Sequence, residues 1–99
     1  MRIEILDQAE RDLIEGFHFY EKQSTGLGSY FLANLYNDIE SLETYAGIHR
    51  KVYRDYNRLL SRRFPFAVFY RVKKDTVFIH AILDCRGNPA WIRKRLGSS

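Results

Sequence analysis

Positively charged side chains are the residues whose types and spacing in this sequence could support chemistry. Arginine binds phosphate and carboxylate groups through a rigid fork of N–H donors, and histidine can transfer a proton near neutral pH. Three arginines and one histidine recur at alternate positions of segments that resemble β-strands, so they share one predicted face. Like charges on one face repel each other, which makes this face a candidate anion site. The residues are Arg58, Arg62, Arg71 and His80.

The grouping of these side chains depends on how two strands pair. A two-residue connection at 64–65 predicts an antiparallel pair in which Arg58 lies opposite Arg71 and Arg62 lies opposite Ala67. Each side chain also has a simpler explanation. Charges on an edge strand prevent aggregation, and an arginine can stack on an aromatic ring without binding any ligand.

Further candidate binding residues follow the last predicted strand. Arg86 and Arg93 extend the positive surface. Trp91 is expected to anchor the last helix in the core, with stacking on a nucleic-acid base as the alternative. Cys85 is expected to be a small packed residue, because no histidine or asparagine stands at the spacing of a nucleophilic site.

Other kinds of site are not indicated. One cysteine and three widely spaced histidines give no metal-ligand pattern, so we expect no metal, and we expect no cofactor. The 99 residues, 45% hydrophobic and 28% charged, have the composition of one globular domain spanning 1–99. There is no apolar run of the roughly 18 residues that a membrane span needs, and no signal peptide is visible. One cysteine cannot form an internal disulfide, so we expect a cytoplasmic protein.

Charge divides the chain into two halves. Residues 1–49 carry three basic and nine acidic side chains, a net charge of −6, whereas residues 50–99 carry thirteen basic and three acidic ones, a net charge of +10. A basic half of this size predicts a surface that meets an anionic partner.

The acidic half must supply the helices that support the sheet. Residues 2–6 alternate as a short strand, and Asp7 with Glu10 indicates a helix start with Asp7 as N-cap. A break at 24–28 separates two amphipathic helices and predicts a helical hairpin. The apolar positions are Ala9, Leu13, Phe17 and Tyr20 in the first helix, and Phe31, Leu35, Ile39 and Leu42 in the second.

The basic half reads as an antiparallel meander with strands at 58–63, 66–72 and 76–84 and a turn at 74–75. Residues 45–57 give no clear pattern. Asn88 is expected to cap a short helix that starts at Pro89, and 97–99 is expected to be a frayed end. One sheet face should pack on the hairpin through Phe66, Val68, Tyr70, Val72, Val77, Ile79, Ala81 and Leu83; the other carries Ala67, Phe69, Arg71, Phe78, His80, Ile82 and Asp84.

These elements predict an α+β fold: an N-terminal strand, an antiparallel helical hairpin packed on an antiparallel β-meander, and a short C-terminal helix. Three segments carry a resemblance to a known family. They are Gly-Leu-Gly at 26–28, Arg-Arg-Phe-Pro-Phe-Ala-Val-Phe-Tyr-Arg-Val at 62–72, and Ile-Leu-Asp-Cys-Arg-Gly-Asn-Pro-Ala-Trp at 82–91. In this order the chain resembles the RelE/ParE superfamily, the toxins of bacterial type II toxin–antitoxin modules.

The resemblance implies a toxin that is neutralised by a cognate acidic antitoxin and inhibits growth, with a role in plasmid stabilisation. ParE-like members inhibit DNA gyrase, and RelE-like members cut messenger RNA on the ribosome. The end of the chain is closer to the ParE-like pattern, and Trp91 stands where RNA-cutting members tend to carry tyrosine. We therefore expect gyrase as the target. The alternatives are a ribosome-dependent RNase using Arg62, Arg71 and His80, and a non-toxic binding module; homodimerisation is left open.

Overall fold

A four-stranded mixed sheet lies between two layers of helices in the computed structural model, which describes residues 1–97. The sheet order is β1-β4-β3-β2, with β1 parallel to β4 and the other pairs antiparallel. This confirms the predicted α+β class. The elements are β1 (Arg2–Ile5), α1 (Asp7–Gln23), α2 (Leu27–Glu40), α3 (Leu42–Tyr45), β2 (Asn57–Leu60), β3 (Phe66–Lys73), β4 (Thr76–Asp84) and α4 (Pro89–Gly97).

The predicted cap of the first helix is wrong by one residue. Leu6 is the N-cap of α1, and the Asp7 side chain makes no capping hydrogen bond. The Leu6 N–H still bonds the Ile79 carbonyl at 3.0 Å, and the Leu6 carbonyl accepts from the Glu10 N–H at 3.0 Å, so the chain passes directly from sheet into helix. Asp7 and Glu10 still lie in the first turn, where negative charge favours the helix.

The helical hairpin turns at the predicted break. The Glu21 carboxylate accepts hydrogen bonds from the N–H groups of Gly26 and Gly28 at 3.0 and 2.9 Å. Gly26 has a φ of 91°, a left-handed conformation that favours glycine. A Cβ on Gly28 would lie 2.6 Å from the carbonyl oxygen of Phe17, so the two helices meet closely there.

The predicted hairpin core is confirmed at seven of its eight positions. Phe17 is half-buried, and Leu42 belongs to the short helix α3 rather than to α2. Among the core residues, Phe31, Leu35 and Ile79 are buried where the hairpin packs on the sheet.

At the other end of the chain, the predicted cap of α4 is also confirmed, because Asn88 Oδ1 accepts a hydrogen bond from the Ala90 N–H at 2.8 Å. Ser98 and Ser99, at the expected frayed end, lie outside the described residues.

The predicted pairing of β2 with β3 is displaced by two residues. Arg58 lies opposite Phe69, not Arg71, and β2 ends at Leu60. The connection is longer than the two residues expected, because the Ser61 N–H bonds the Phe66 carbonyl at 2.9 Å and closes a wider loop. Arg62 lies in that loop, so the expectation that it sits opposite Ala67 is wrong.

A β-bulge in β4 reverses half of the predicted face assignment. Phe69 pairs with Ala81 but Tyr70 pairs with Ile79, which leaves His80 as an extra residue. An extra residue shifts the side-chain alternation by one, and the polarity pattern alone does not reveal it. Beyond the bulge, Ala81 and Leu83 therefore lie on the face away from the hairpin, whereas Ile82 joins the hairpin core and Asp84 pairs with Phe66.

A buried ion pair closes the edge of the sheet beside β4. Among the described residues, β1 pairs with β4 only as far as Ile79, so the following part of β4 lacks a neighbouring strand there. The Asp12 carboxylate of α1 accepts the Ile82 N–H at 3.0 Å. It also accepts two hydrogen bonds from Arg95 of α4, at 2.8 and 2.7 Å. Helices on opposite faces of the sheet are thereby joined around its edge.

We predict that Ile79→Ala lowers the free energy of unfolding by about 2–5 kcal/mol, because it opens a cavity between the sheet and the hairpin. Chemical denaturation monitored by circular dichroism measures the loss. Val72→Ala, a β-branched residue that is partly exposed on β3, is the matched control and should change stability far less. Equal stability of Ile79→Ala and the wild type would contradict the assigned core face.

We also predict that Asp12→Ala costs about 3–5 kcal/mol of stability, because it leaves Arg95 and the Ile82 N–H without the buried carboxylate that both contact. Asp12→Asn keeps an acceptor oxygen and should cost less. Asp84→Asn is the control, since its partner Arg86 is largely exposed. A denaturation midpoint of Asp12→Ala no lower than that of Asp84→Asn would show that the ion pair does not hold the edge.

Candidate functional site

Helix α4 covers much of the sheet face that the sequence predicted to be open. Leu96 is 1% exposed, and with Ile92 it packs on a second apolar cluster formed by Tyr56, Ala67, Phe69, Ala81 and Leu83. The bulge creates this cluster, because it turns Ala81 and Leu83 toward α4. The candidate residues therefore lie around the margins of α4 and not on one open surface.

Arg71 and His80 are brought together, as predicted, at the part of the face beyond α4. Both contact Tyr56, whose buried ring lies 3.9 Å from the Arg71 guanidinium carbon. The His80 ring meets the same ring edge-on, with centroids 5.1 Å apart. The Tyr56 hydroxyl donates to the Leu96 carbonyl at 3.1 Å, so the ring that positions both side chains is itself fixed by α4.

Burial and the nearby Arg71 charge lower the pKa of His80. His80 is therefore neutral at pH 7 and can accept a hydrogen bond there. A cavity of about 730 Å³ opens beside these residues. Its lining includes Lys51, Asp55, Lys73 and Phe78.

Arg58 occupies a different place, a cavity of about 370 Å³ between the sheet and α4. Arg93 lines the same cavity, which is otherwise largely apolar. Cys85 also lines it, and partial desolvation by the neighbouring residues raises the pKa of its thiol, so the thiol stays protonated at neutral pH. Contrary to expectation Cys85 is exposed, not packed.

Arg62 lies apart from both groups. With Arg63 it lines a cavity of about 510 Å³ beside α2, where Asp38 is the neighbouring acid. Ser61 donates to the Asp38 carboxylate at 2.7 Å, which fixes the start of the loop that carries Arg62. The expectation that Arg62 shares a face with Arg58 and Arg71 is therefore wrong.

Arg86 and Trp91 lie near the start of α4. Arg86 pairs with Asp84 at 2.8 Å, and this hydrogen bond lowers the pKa of the Asp84 carboxyl. Trp91 is 51% exposed, so the expectation that it anchors the helix is wrong; Leu96 does so. Its indole lines a groove of about 620 Å³ between α1 and α4, together with the exposed Phe19.

The sequence reasoning missed Tyr56, Lys51 and Lys73. Tyr56 lies within the stretch at 45–57 that had no readable period, and it is buried by packing against α4, which is far away in sequence. The two lysines belong to a loop and a strand end, where charge is usually solvated. The one available signal was an aromatic residue two positions before the predicted strand at 58–63.

The basic side chains described above are suited to binding anions, because arginine and lysine pair with phosphate and carboxylate groups. Within residues 1–97, no group of three His, Cys, Asp or Glu side chains is placed to hold a metal ion. No helix in the same range is long and apolar enough to cross a membrane. The basic side chains instead border three separate cavities.

Comparison with known proteins agrees with the fold. The structure superposes on a chain of the "Chromosomal ParDE TA system from P. aeruginosa" with a TM-score of 0.75 and 22% sequence identity, over 83% of this chain and 92% of that one. No curated protein matches the sequence significantly. The family model described as the ParE toxin of the type II toxin–antitoxin system parDE matches residues 3–89. Since that match spans most of the chain and confirms the resemblance seen in the sequence, this protein belongs to the ParE toxin family of type II toxin–antitoxin systems.

Proposed function

We propose that this protein arrests growth by binding and inhibiting DNA gyrase, that it does not cut RNA, and that an acidic antitoxin neutralises it. The positions of three arginines favour gyrase inhibition over RNA cleavage. Arg58, Arg62 and Arg71 border three different cavities instead of surrounding one phosphate. In-line cleavage of RNA requires preorganised charge around a single reacting phosphate.

The protonation state of His80 also favours binding over cleavage. RNA cleavage by a 2′-hydroxyl needs one group that accepts a proton and another that donates one to the leaving oxygen. Burial and Arg71 lower the pKa of His80, which favours its neutral form and disfavours proton donation by it at neutral pH. The protonated thiol of Cys85 borders a different cavity and is not placed to donate that proton.

The margins of α4 are the docking surface proposed for gyrase. Trp91 exposes a large aromatic surface, and Arg93 is exposed on the same helix. Tryptophan and arginine are the residue types that most often dominate binding energy at protein interfaces. The ion pair between Asp12 and Arg95 fixes the position of this helix before any partner arrives.

The proposed antitoxin approaches the basic half of the chain, which carries a net charge of +10. Acidic segments complement such a surface and are steered toward it. We propose that an extended or helical acidic segment of the antitoxin crosses α4 near Arg58 and Arg93, which border the same cavity.

We predict that the purified protein blocks supercoiling of relaxed plasmid by gyrase and leaves a ribosome-bound message intact. Trp91→Ala and Arg93→Ala should each weaken the inhibition about tenfold or more, as expected for interface anchors. His80→Ala should leave inhibition unchanged, whereas an RNase using His80 would lose on the order of 10²-fold in rate. Supercoiling and primer-extension assays with the same preparations measure both activities.

Circular dichroism should show that Trp91→Ala and Arg93→Ala remain folded, since both side chains are exposed. A cleaved message together with normal supercoiling would overturn the gyrase proposal and favour the RNase. Absence of both effects would favour a binding module without toxicity.

We predict that the antitoxin associates rapidly at low salt and more slowly as salt rises, because charge steering is screened over about 10 Å at 0.1 M. Stopped-flow fluorescence of Trp91 at several salt concentrations measures the association rate. Arg58→Gln and Arg93→Gln should lower the rate at low salt. An association rate independent of salt would instead place the antitoxin on the apolar surface of the helices.

A further inference from the structure

The cavity beside Arg71 has the properties of a ligand site that the proposed gyrase inhibition does not use. We propose that it binds the phosphate group of a nucleotide, with the base placed near the ring of Phe78. The proposal goes beyond the action on gyrase and does not depend on it. It concerns a part of the surface separate from Trp91, which lines a different groove that shares no lining residue with this cavity.

The charges around this cavity favour an anion. Lys51, Arg71 and Lys73 line it, against the single carboxylate of Asp55. His80, also in the lining, is neutral at pH 7 and does not add to the positive charge. A phosphate monoester carries close to two negative charges at this pH, and three cationic groups suit it better than they suit a singly charged carboxylate.

Arg71 carries an unsatisfied donor at this place. Its Nε is buried and has no hydrogen-bond partner among the described residues. Buried donors are nearly always paired in folded proteins, so this unpaired donor marks the Arg71 guanidinium as a group with unused hydrogen-bonding capacity beside the cavity. The guanidinium is already fixed by stacking on Tyr56, so a phosphate would meet a preorganised group.

The size and the remaining lining favour a nucleotide over a bare ion. The volume of about 730 Å³ lies in the range of small-molecule sites and far exceeds that of a phosphate ion. Phe78 is half-buried in the lining and offers a ring for stacking, and base stacking on aromatic side chains is a common contribution to nucleotide binding. Arg58 and Arg62, the other sequence-predicted arginines, line other cavities and are not part of the site.

The test is a titration of the isotope-labelled protein with AMP, adenosine and inorganic phosphate, followed by two-dimensional NMR of the backbone amides. We expect saturable shifts at Lys73, Phe78 and His80 with AMP. AMP should bind about tenfold more tightly than adenosine or phosphate, because it alone contacts both the cations and the ring. The pKa of His80 should rise on binding, because the added negative charge stabilises its protonated form.

Lys51→Gln and Lys73→Gln should each weaken AMP binding about fivefold or more, since each removes a charge beside the phosphate. Both lysines are exposed, so these variants should fold normally. Arg63→Gln, an exposed arginine beside α2, is the matched control and should bind AMP like the wild type. Phe78→Leu should weaken AMP but not inorganic phosphate.

Three results would overturn the proposal. They are the absence of saturable shifts in the cavity, an equal loss of binding in Arg63→Gln, and binding of a short acidic peptide as tight as that of AMP. A hexanucleotide that binds about tenfold more tightly than AMP would support the proposal and identify a nucleic-acid strand as the source of the phosphate. Equal affinity of the hexanucleotide and AMP would support it with the free nucleotide as the source.

Discussion

The buried carboxylate of Asp12 is the contact on which the arrangement of the helices depends. It satisfies the Ile82 N–H on a stretch of β4 beyond its pairing with β1, and it binds both terminal nitrogens of Arg95. A backbone donor buried without a partner would be costly, and so would a largely buried arginine that lacked an acidic partner. The Asp12 carboxylate removes both costs because it accepts hydrogen bonds from both groups, and it thereby fixes α4 across the sheet from α1.

The position of α4 in turn determines the surface on which function is proposed. Leu96 enters the second apolar cluster, and its carbonyl accepts the hydroxyl of Tyr56. The Tyr56 ring supports Arg71 on its face and His80 at its edge. A continuous series of packed contacts therefore connects the edge of the sheet with the Arg71 cavity. The C-terminal helix links the proposed docking surface at Trp91 to the cavity on the other side.

Periodicity in the sequence predicted those parts of the fold that local pattern controls. The hairpin, its glycine turn, β4 with its bounds and the Asn88 cap all follow from spacing within a few residues. The bulge at His80 and the register of Arg58 depend on contacts between strands, which alternation does not encode. Thus Arg71 and His80 were grouped correctly, whereas Arg62 and Trp91 were misplaced. Tyr56 was missed because its role arises only when α4 packs on it.

The fold places acidic residues of the first half of the chain and basic residues of the second half on opposite faces of the sheet. The acidic half forms the hairpin layer, with exposed carboxylates such as Glu10 and Glu15, while α4 on the opposite face presents Arg93 and Lys94. The two layers meet at Asp12 and Arg95, whose opposite charges neutralise each other at the edge of the sheet. The exposed charges named here lie on opposite sides of the sheet, whereas Arg62 and Arg63 of the basic half lie beside α2. An anionic partner is therefore attracted to the α4 side and repelled from the hairpin side, which orients it before any specific contact forms.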